Sequence, residues 1–199
     1  RGIISMMVRE KLKRLWRKLP AELWGLWAIA LLTRLPGLTF PKSIVFDEVY
    51  FTKYPAQYFT HHYYFDPHPP LGKELIAGWA KLWHMNPASM MAPGSTTLRI
   101  LIALFGVAIV PLVYGIVRRL SGSRLSAALA GLIVAIDMGL IVEARLVLMD
   151  SILLAFGLGA IYAALRWRDN PRWYWLVATG LLIGAAGSIK WTGLAPALI

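Results

Sequence analysis

The sequence predicts an all-α polytopic membrane protein, and three observations predict it. Hydrophobic residues make up 58% of the 199 residues and charged residues only 16%, with a mean hydropathy of +0.58. Soluble domains run nearer about a quarter charged and ~45–50% apolar. The apolar residues gather into long runs, and the positive charge lies between those runs. Lys and Arg number 21 against 10 Asp and Glu, a net charge of +11. This composition excludes a disordered chain and argues against a soluble globule. A basic excess raises nucleic acid as a partner, but charge placed between apolar runs fits membrane topology instead, so lipid is the expected partner and nucleic acid is not. The absence of Cys excludes a disulfide scaffold and a thiolate metal site.

The runs set the elements. The first spans 23–40, with Arg34 near its end; the second, 100–117, is free of charge. The third spans 125–142 and contains Asp137, expected as a buried hydrogen-bonding partner. The fourth, 151–165, is slightly short; the fifth, 173–189, is followed by Lys190; a sixth starts at 191. Runs of about 17–25 residues are spanning candidates, and shorter ones are completed by flanking aromatics and snorkelling basic residues. The first run reads as a retained helix, because no small-residue cleavage site follows it before Pro41.

Basic residues set the orientation. Seven lie before residue 23, three in 118–124 and three in 166–172, while eight are scattered elsewhere. The positive-inside rule therefore places the N-terminus in the cytoplasm and segment 41–98 outside. Within that outer loop, Leu71, Leu75, Trp79 and Leu82 recur at helical spacing, with Lys73, Glu74 and Lys81 elsewhere. That pattern predicts an amphipathic helix over 71–84 lying at the outer interface. Residues 86–95 read as a loop.

In this orientation Asp47, Glu48, His68, Arg99, Glu143, Arg145, Asp150 and Lys190 fall on or near one face, and charges at membrane depth persist mainly where they pair or line a polar cavity. Asp47 and Glu48 sit among aromatics just outside the first run. Such a carboxylate can act as a base, or the pair can simply begin a helix. His68 lies on a stiff turn, Asp66-Pro67-His68-Pro69-Pro70, that either aims it at a cavity or merely starts the next helix. Arg145 either holds an anion by a forked contact or pairs with Glu143 or Asp150. Lys190 and Arg99 either bind a lipid phosphate or snorkel to the headgroups. His61 and His62 lack a metal-ligand spacing, so no metal site is expected. No nucleotide loop or Ser–His–Asp pattern occurs.

Four segments, taken together and in order, resemble one family. They are Phe46-Asp47-Glu48-Val49-Tyr50-Phe51; Phe65-Asp66-Pro67-His68-Pro69-Pro70-Leu71-Gly72-Lys73; Ala144-Arg145-Leu146-Val147-Leu148-Met149-Asp150-Ser151; and Ser188-Ile189-Lys190-Trp191-Thr192-Gly193-Leu194. The chain resembles the protein O-mannosyltransferases, polytopic dolichyl-phosphate-mannose–protein mannosyltransferases of the GT-C fold, over about residues 24–199. Thr52-Lys53 and Thr192 depart mildly from the family pattern, away from its charged positions. The resemblance implies that residues 1–199 are the N-terminal part of a single GT-C transmembrane domain.

It further implies an inverting glycosyltransferase that moves mannose from a polyprenyl-phosphate mannose to Ser/Thr hydroxyls of proteins on the extracytoplasmic side. Asp47 matches the catalytic base and Glu48 its partner, which orients the acceptor or Asp47. His68, Arg99, Arg145, Asp150 and Lys190 match substrate-binding positions. No cofactor is implied beyond the lipid-linked sugar as donor substrate, and the sequence supports no divalent cation. A bacterial plasma membrane is favoured over the endoplasmic reticulum on composition. Two other readings stay open: a polyprenyl-phosphate-sugar transferase acting on a lipid, as aminoarabinose transferases do, and a transporter or membrane subunit. Against the transporter, the second and fourth runs have uncharged centres, so no polar route crosses the bilayer.

Overall fold

The computed structural model describes residues 20–198; the basic arm counted for topology lies outside them. Among the described residues the elements are helices: α1 Ala21–Arg34, α2 Glu48–Thr60, α3 Leu71–Leu82, α4 Pro87–Met90, α5 Thr96–Ser121, α6 Arg124–Ile136, α7 Met138–Arg145, α8 Asp150–Asp169 and α9 Trp173–Gly187, then a 3-10 helix Trp191–Leu198. Helices α5 and α8 are each long and apolar enough to cross a membrane, and α6 with α7 makes a third such unit, bent by 54°. Exposed Leu125 and Ile133 on α6, and Leu176 and Leu181 on α9, form the kind of apolar exterior that lipid requires. The protein is an all-α integral membrane protein.

The 26 residues of α5 make it the longest element. At a rise of about 1.5 Å per residue it runs roughly 39 Å, enough for the whole hydrocarbon core. Arg99 sits at one end and Arg118 and Arg119 at the other, where Arg119 pairs with Asp169 at 3.0 Å. The candidate site residues therefore gather at the Arg99 end.

Two apolar runs break where polar chemistry intervenes. The first stops being helical at Arg34, because Pro36 lacks an amide hydrogen and Gly37 turns left-handed at φ +68°. The third breaks at Asp137, whose carboxylate accepts a hydrogen bond from the Leu140 amide at 2.8 Å and so starts α7. Asp137 is exposed, not buried as its position in an apolar run suggested. The backbone carbonyls at the end of α6 are taken up by a buried arginine: Arg34 donates to Ala135 at 2.9 Å and to Val134 at 3.0 Å. The same device recurs on α1, where Arg145 at the end of α7 donates to the carbonyls of Thr33, Arg34, Pro36 and Gly37. Cations at helix C-termini satisfy both the orphan carbonyls and the dipole. From residue 191 the chain adopts the 3-10 helix, which contains Gly193 and Pro196.

The amphipathic helix expected over 71–84 is α3, turned relative to the expected stripe. Ile76 and Ala80 are its buried apolar residues, Leu71, Leu75 and Trp79 are half-buried, and Leu82 is exposed. Lys73, assigned to the polar side by pattern, points inward. A core of Phe51, Ile76, Met90, Leu98, Ile102, Leu148, Met149, Ile152 and Ile189 fixes α2, α3 and α4 on the ends of α5 and α8. A second core of Leu23, Leu26, Ala30, Val110, Tyr114, Ala127 and Ala135 joins α1, α5 and α6.

Close approach of α5 to α7 depends on Gly106, where an added Cβ would overlap the Ala144 methyl and lie 3.4 Å from the Arg34 Cδ. Backbone-borne Ala144 cannot swing aside. Gly106→Ala therefore lowers stability by about 1–3 kcal/mol, read as a lower melting temperature in detergent; an unchanged melt would mean the helices are farther apart than described.

Candidate active site

Glu48 organises this end of the molecule. Its carboxylate, only 2% exposed, accepts four hydrogen bonds: from Arg99 Nε at 2.9 Å, Arg99 Nη2 at 2.7 Å, the Val147 amide at 2.8 Å and the Val45 amide at 3.1 Å. Arg99 is fully buried and donates its remaining N–H groups to the carbonyls of Leu38, Pro41 and Ser43. A forked Arg–carboxylate pair with every lone pair occupied is the arrangement that makes a buried ion pair tolerable. It also removes Arg99 from the list of phosphate ligands: all five of its donors are engaged inside the protein. Glu48 is likewise occupied by structural partners and holds the backbone beside Asp47 in place.

Asp47 stands apart from this lock. It precedes α2, and its carbonyl accepts from the amides of Tyr50 and Phe51. Its side chain lines a cavity of about 250 Å³ with Tyr50, Phe51, Tyr54, Asp66, Pro67 and His68. Neighbouring side chains at a helix start point in different directions, which lets Glu48 face the core while Asp47 faces the cavity.

The Pro-rich turn forms the opposite wall. Buried Lys73 pairs with Asp66 and donates to the His68 carbonyl at 2.8 Å; Asp66 also accepts from the His68 amide at 3.1 Å. Lys73 thus pins the turn that aims His68. His68 lines both the Asp47 cavity and a wider cleft of about 410 Å³ that includes His61, His62, Tyr58 and Tyr64. Tyr54 stacks on Tyr64 with ring centres 4.6 Å apart. Burial among these groups pushes the Tyr54 and Tyr64 phenols above their ordinary range.

The third and fourth segments pack against the second. The Leu71 amide donates to the Ser188 carbonyl at 3.0 Å. Gly72 lies against Met149 and Ile189, leaving no room for a side chain; an added Cβ would sit 2.6 Å from the Met149 sulfur. Lys190 donates to Asp150 at 2.6 Å, tying the end of α9 to the start of α8. Arg145 is committed to the α1 carbonyls described above, so the Glu143–Arg145 pair weighed from sequence does not form. The four sequence segments are thereby packed together at one end of the molecule, with Asp47 bordering the cavity formed by the first two. Sequence reading missed the inward Lys73–Asp66 pair. Its signal was an Asp and a Lys seven residues apart, bracketing three prolines.

A family model described as dolichyl-phosphate-mannose-protein mannosyltransferase matches residues 24–199. Protein O-mannosyltransferase 1 of Drosophila melanogaster is 35% identical over 184 residues, covering 85% of this chain and 21% of that protein. Dolichyl-phosphate-mannose–protein mannosyltransferase 4 of Saccharomyces cerevisiae is 30% identical, over 88% of this chain and 26% of its own length. In structure, the chain is similar to the S. cerevisiae protein O-mannosyltransferase Pmt1-Pmt2 complex bound to the sugar donor, with a TM-score of 0.83, 29% identity, and coverage of 89% of this chain and 26% of that one. The chain thus spans about a fifth to a quarter of the length of these relatives. They are animal and yeast proteins, which leaves the expectation of a bacterial plasma membrane without support. With a family model matched over residues 24–199 and relatives 30–35% identical over most of its length, this chain belongs to the dolichyl-phosphate-mannose–protein mannosyltransferase family.

Proposed function

We propose that the full-length protein transfers mannose from a polyprenyl-phosphate mannose to Ser or Thr hydroxyls of proteins, on the extracytoplasmic side of the membrane. The observation that carries this reading is the division of labour between adjacent acids. Glu48 is locked into Arg99, whereas Asp47 faces a cavity beside His68. In the reaction Asp47 removes the proton from the acceptor hydroxyl as its oxygen attacks the anomeric carbon. The bond from that carbon to the phosphate oxygen breaks, and the phosphate leaves with the electron pair. It needs no acid, because it is stable as an anion. One base therefore suffices, and direct displacement inverts the anomer.

Of the three cations expected on the phosphate, Lys190 is the best placed. Arg99 is fully engaged and Arg145 clamps α1, while one Lys190 donor is taken by Asp150. An ammonium group aimed at the leaving phosphate stabilises charge that grows in the transition state. The site lies at the end of the bundle remote from Arg118, Arg119, Arg166 and Arg168. We place it at the outer leaflet, in an endoplasmic-reticulum-type membrane as befits animal and yeast relatives.

The acceptor is tested by incubating full-length protein with labelled polyprenyl-phosphate mannose and either a Ser/Thr peptide or a lipid acceptor. Label in the peptide is expected; label in the lipid alone would favour the lipid-directed reading. Sidedness has its own test, since the chain lacks Cys. A single Cys replacing Thr60 is expected to react with an impermeant thiol reagent on the extracytoplasmic side, and one replacing Ser123 is not. The reverse pattern would remove the outer-face site.

A further inference from the structure

Four tyrosines lead away from the Asp47 cavity, and the reaction above uses none of them. Tyr50, Tyr54 and Tyr58 recur every four residues on α2 and so share one face of it. The helix ends at His61, whose left-handed φ of 53° turns the chain back; the His61 and His62 amides both donate to the Gln57 carbonyl. The returning segment lays Tyr64 on the same face. Ring centres follow one another at 5.9 Å from Tyr50 to Tyr54, 4.6 Å from Tyr54 to Tyr64 and 5.8 Å from Tyr64 to Tyr58. Lys73 Nζ, 5.9 Å from the Tyr64 ring centre, helps hold that ring in place. Tyr50 and Tyr54 line the 250 Å³ cavity of Asp47, Tyr58 and Tyr64 line the 410 Å³ cleft, and Asp66 and His68 border both. The row therefore runs from the cavity into the cleft. Tyr50 is 50% exposed and Tyr58 37%, so these rings do not serve to fill a core.

The chemistry of the row selects its occupant. A prenyl chain needs an apolar groove, whereas this cleft carries Gln57, His61, His62 and the Lys73–Asp66 pair. One sugar ring covers one aromatic ring, not a row of four. A polypeptide has the required length, and its hydroxyl must reach Asp47 from some direction. Rings presented by a helix offer faces and phenols, with no strand edge for a peptide to pair with. Aromatic-lined grooves of this kind take Pro-containing chains in the polyproline II conformation, which lose little entropy on binding. Such chains present unpaired carbonyls, which phenolic hydroxyls can bond. We propose that the row Tyr50–Tyr54–Tyr64–Tyr58 is the acceptor track, and that it favours Ser or Thr hydroxyls flanked by proline in an extended polypeptide. This rests on the transferase reading above and names its acceptor class.

The test uses full-length enzyme, saturating polyprenyl-phosphate mannose and two peptides of equal length, one with prolines flanking a single Thr and one with alanines in their place. Wild type is expected to show the lower KM for the proline peptide. Tyr58→Ala is expected to raise that KM about 2–10-fold, the range for one aromatic contact, and to raise it more than it lowers kcat. The alanine peptide is expected to change less, so the preference shrinks. Tyr58→Phe, which keeps the ring, is expected to fall between Tyr58→Ala and wild type and to retain the preference, which separates loss of the ring from a folding defect. Equal use of the two peptides by wild type, or an equal loss for both in Tyr58→Ala, overturns the proposal and leaves the transferase reading standing. A change in donor KM with peptide KM unaltered also overturns it, and gives the row to the lipid-linked sugar. Folded wild type that binds donor yet transfers to neither peptide overturns the transferase reading itself.

Discussion

Asp47→Asn in the full-length enzyme is expected to lower mannose transfer by about 10²–10⁴-fold, the range for removing a general base, while donor affinity and melting temperature stay near wild type. Asparagine keeps the shape and hydrogen-bonding capacity of the side chain but cannot take the acceptor proton. The structure supports the separation of effects. Asp47 borders the cavity and makes no side-chain hydrogen bond that α2 depends on. Losing the carboxylate therefore leaves the Glu48–Arg99 lock intact. Transfer rate and donor binding are measured side by side; near-normal transfer would take the base role from Asp47.

Glu48→Gln is expected to behave in the opposite way. Its first effect is on folding, because Arg99, with no exposed surface, is left as a buried charge without its counter-ion. Removing one partner of such a pair costs about 3–5 kcal/mol. Activity then falls with the folded fraction and with the loosened backbone beside Asp47. A double-mutant cycle makes the claim quantitative. Glu48→Gln, Arg99→Met and the double variant are compared by thermal unfolding in detergent. The double variant is expected to lose less than the sum of the single losses, since the second substitution removes the orphaned charge. Additive losses would show that the two side chains do not depend on each other.

That these charged residues gather at one end of the bundle was legible in the sequence; which of them pair with one another was not. Asp47, Glu48, His68, Arg99, Arg145, Asp150 and Lys190 all fall at one end of the bundle, as apolar runs and basic loops imply. Local pattern cannot say which charges pair. Glu48 and Arg99 are 51 residues apart, and Lys190 and Asp150 40 apart. Arg145 had a carboxylate two residues before it, yet it caps a helix that ends more than 100 residues earlier. Orphan carbonyls of a neighbouring helix compete for a guanidinium as strongly as a nearby acid does, and hydropathy records none of them. Helix ends were displaced for similar reasons. Asp137 sits in an apolar run, but its side chain begins a new helix instead of hiding in an old one. On α3 the pattern identified the helix but not its inward face, because Lys73 is drawn to Asp66 across the proline turn.

The central claim is that one carboxylate, Asp47, drives a direct displacement in a site where its neighbour Glu48 has only an architectural role. The configuration of the new glycosidic bond tests it most directly. Full-length enzyme is given a β-linked polyprenyl-phosphate mannose and a Ser/Thr peptide, and the anomeric proton and carbon of the product are read by NMR. An α-mannoside is the predicted result. A β-mannoside would mean two successive displacements through a covalent intermediate, which requires a second carboxylate as nucleophile and contradicts the account.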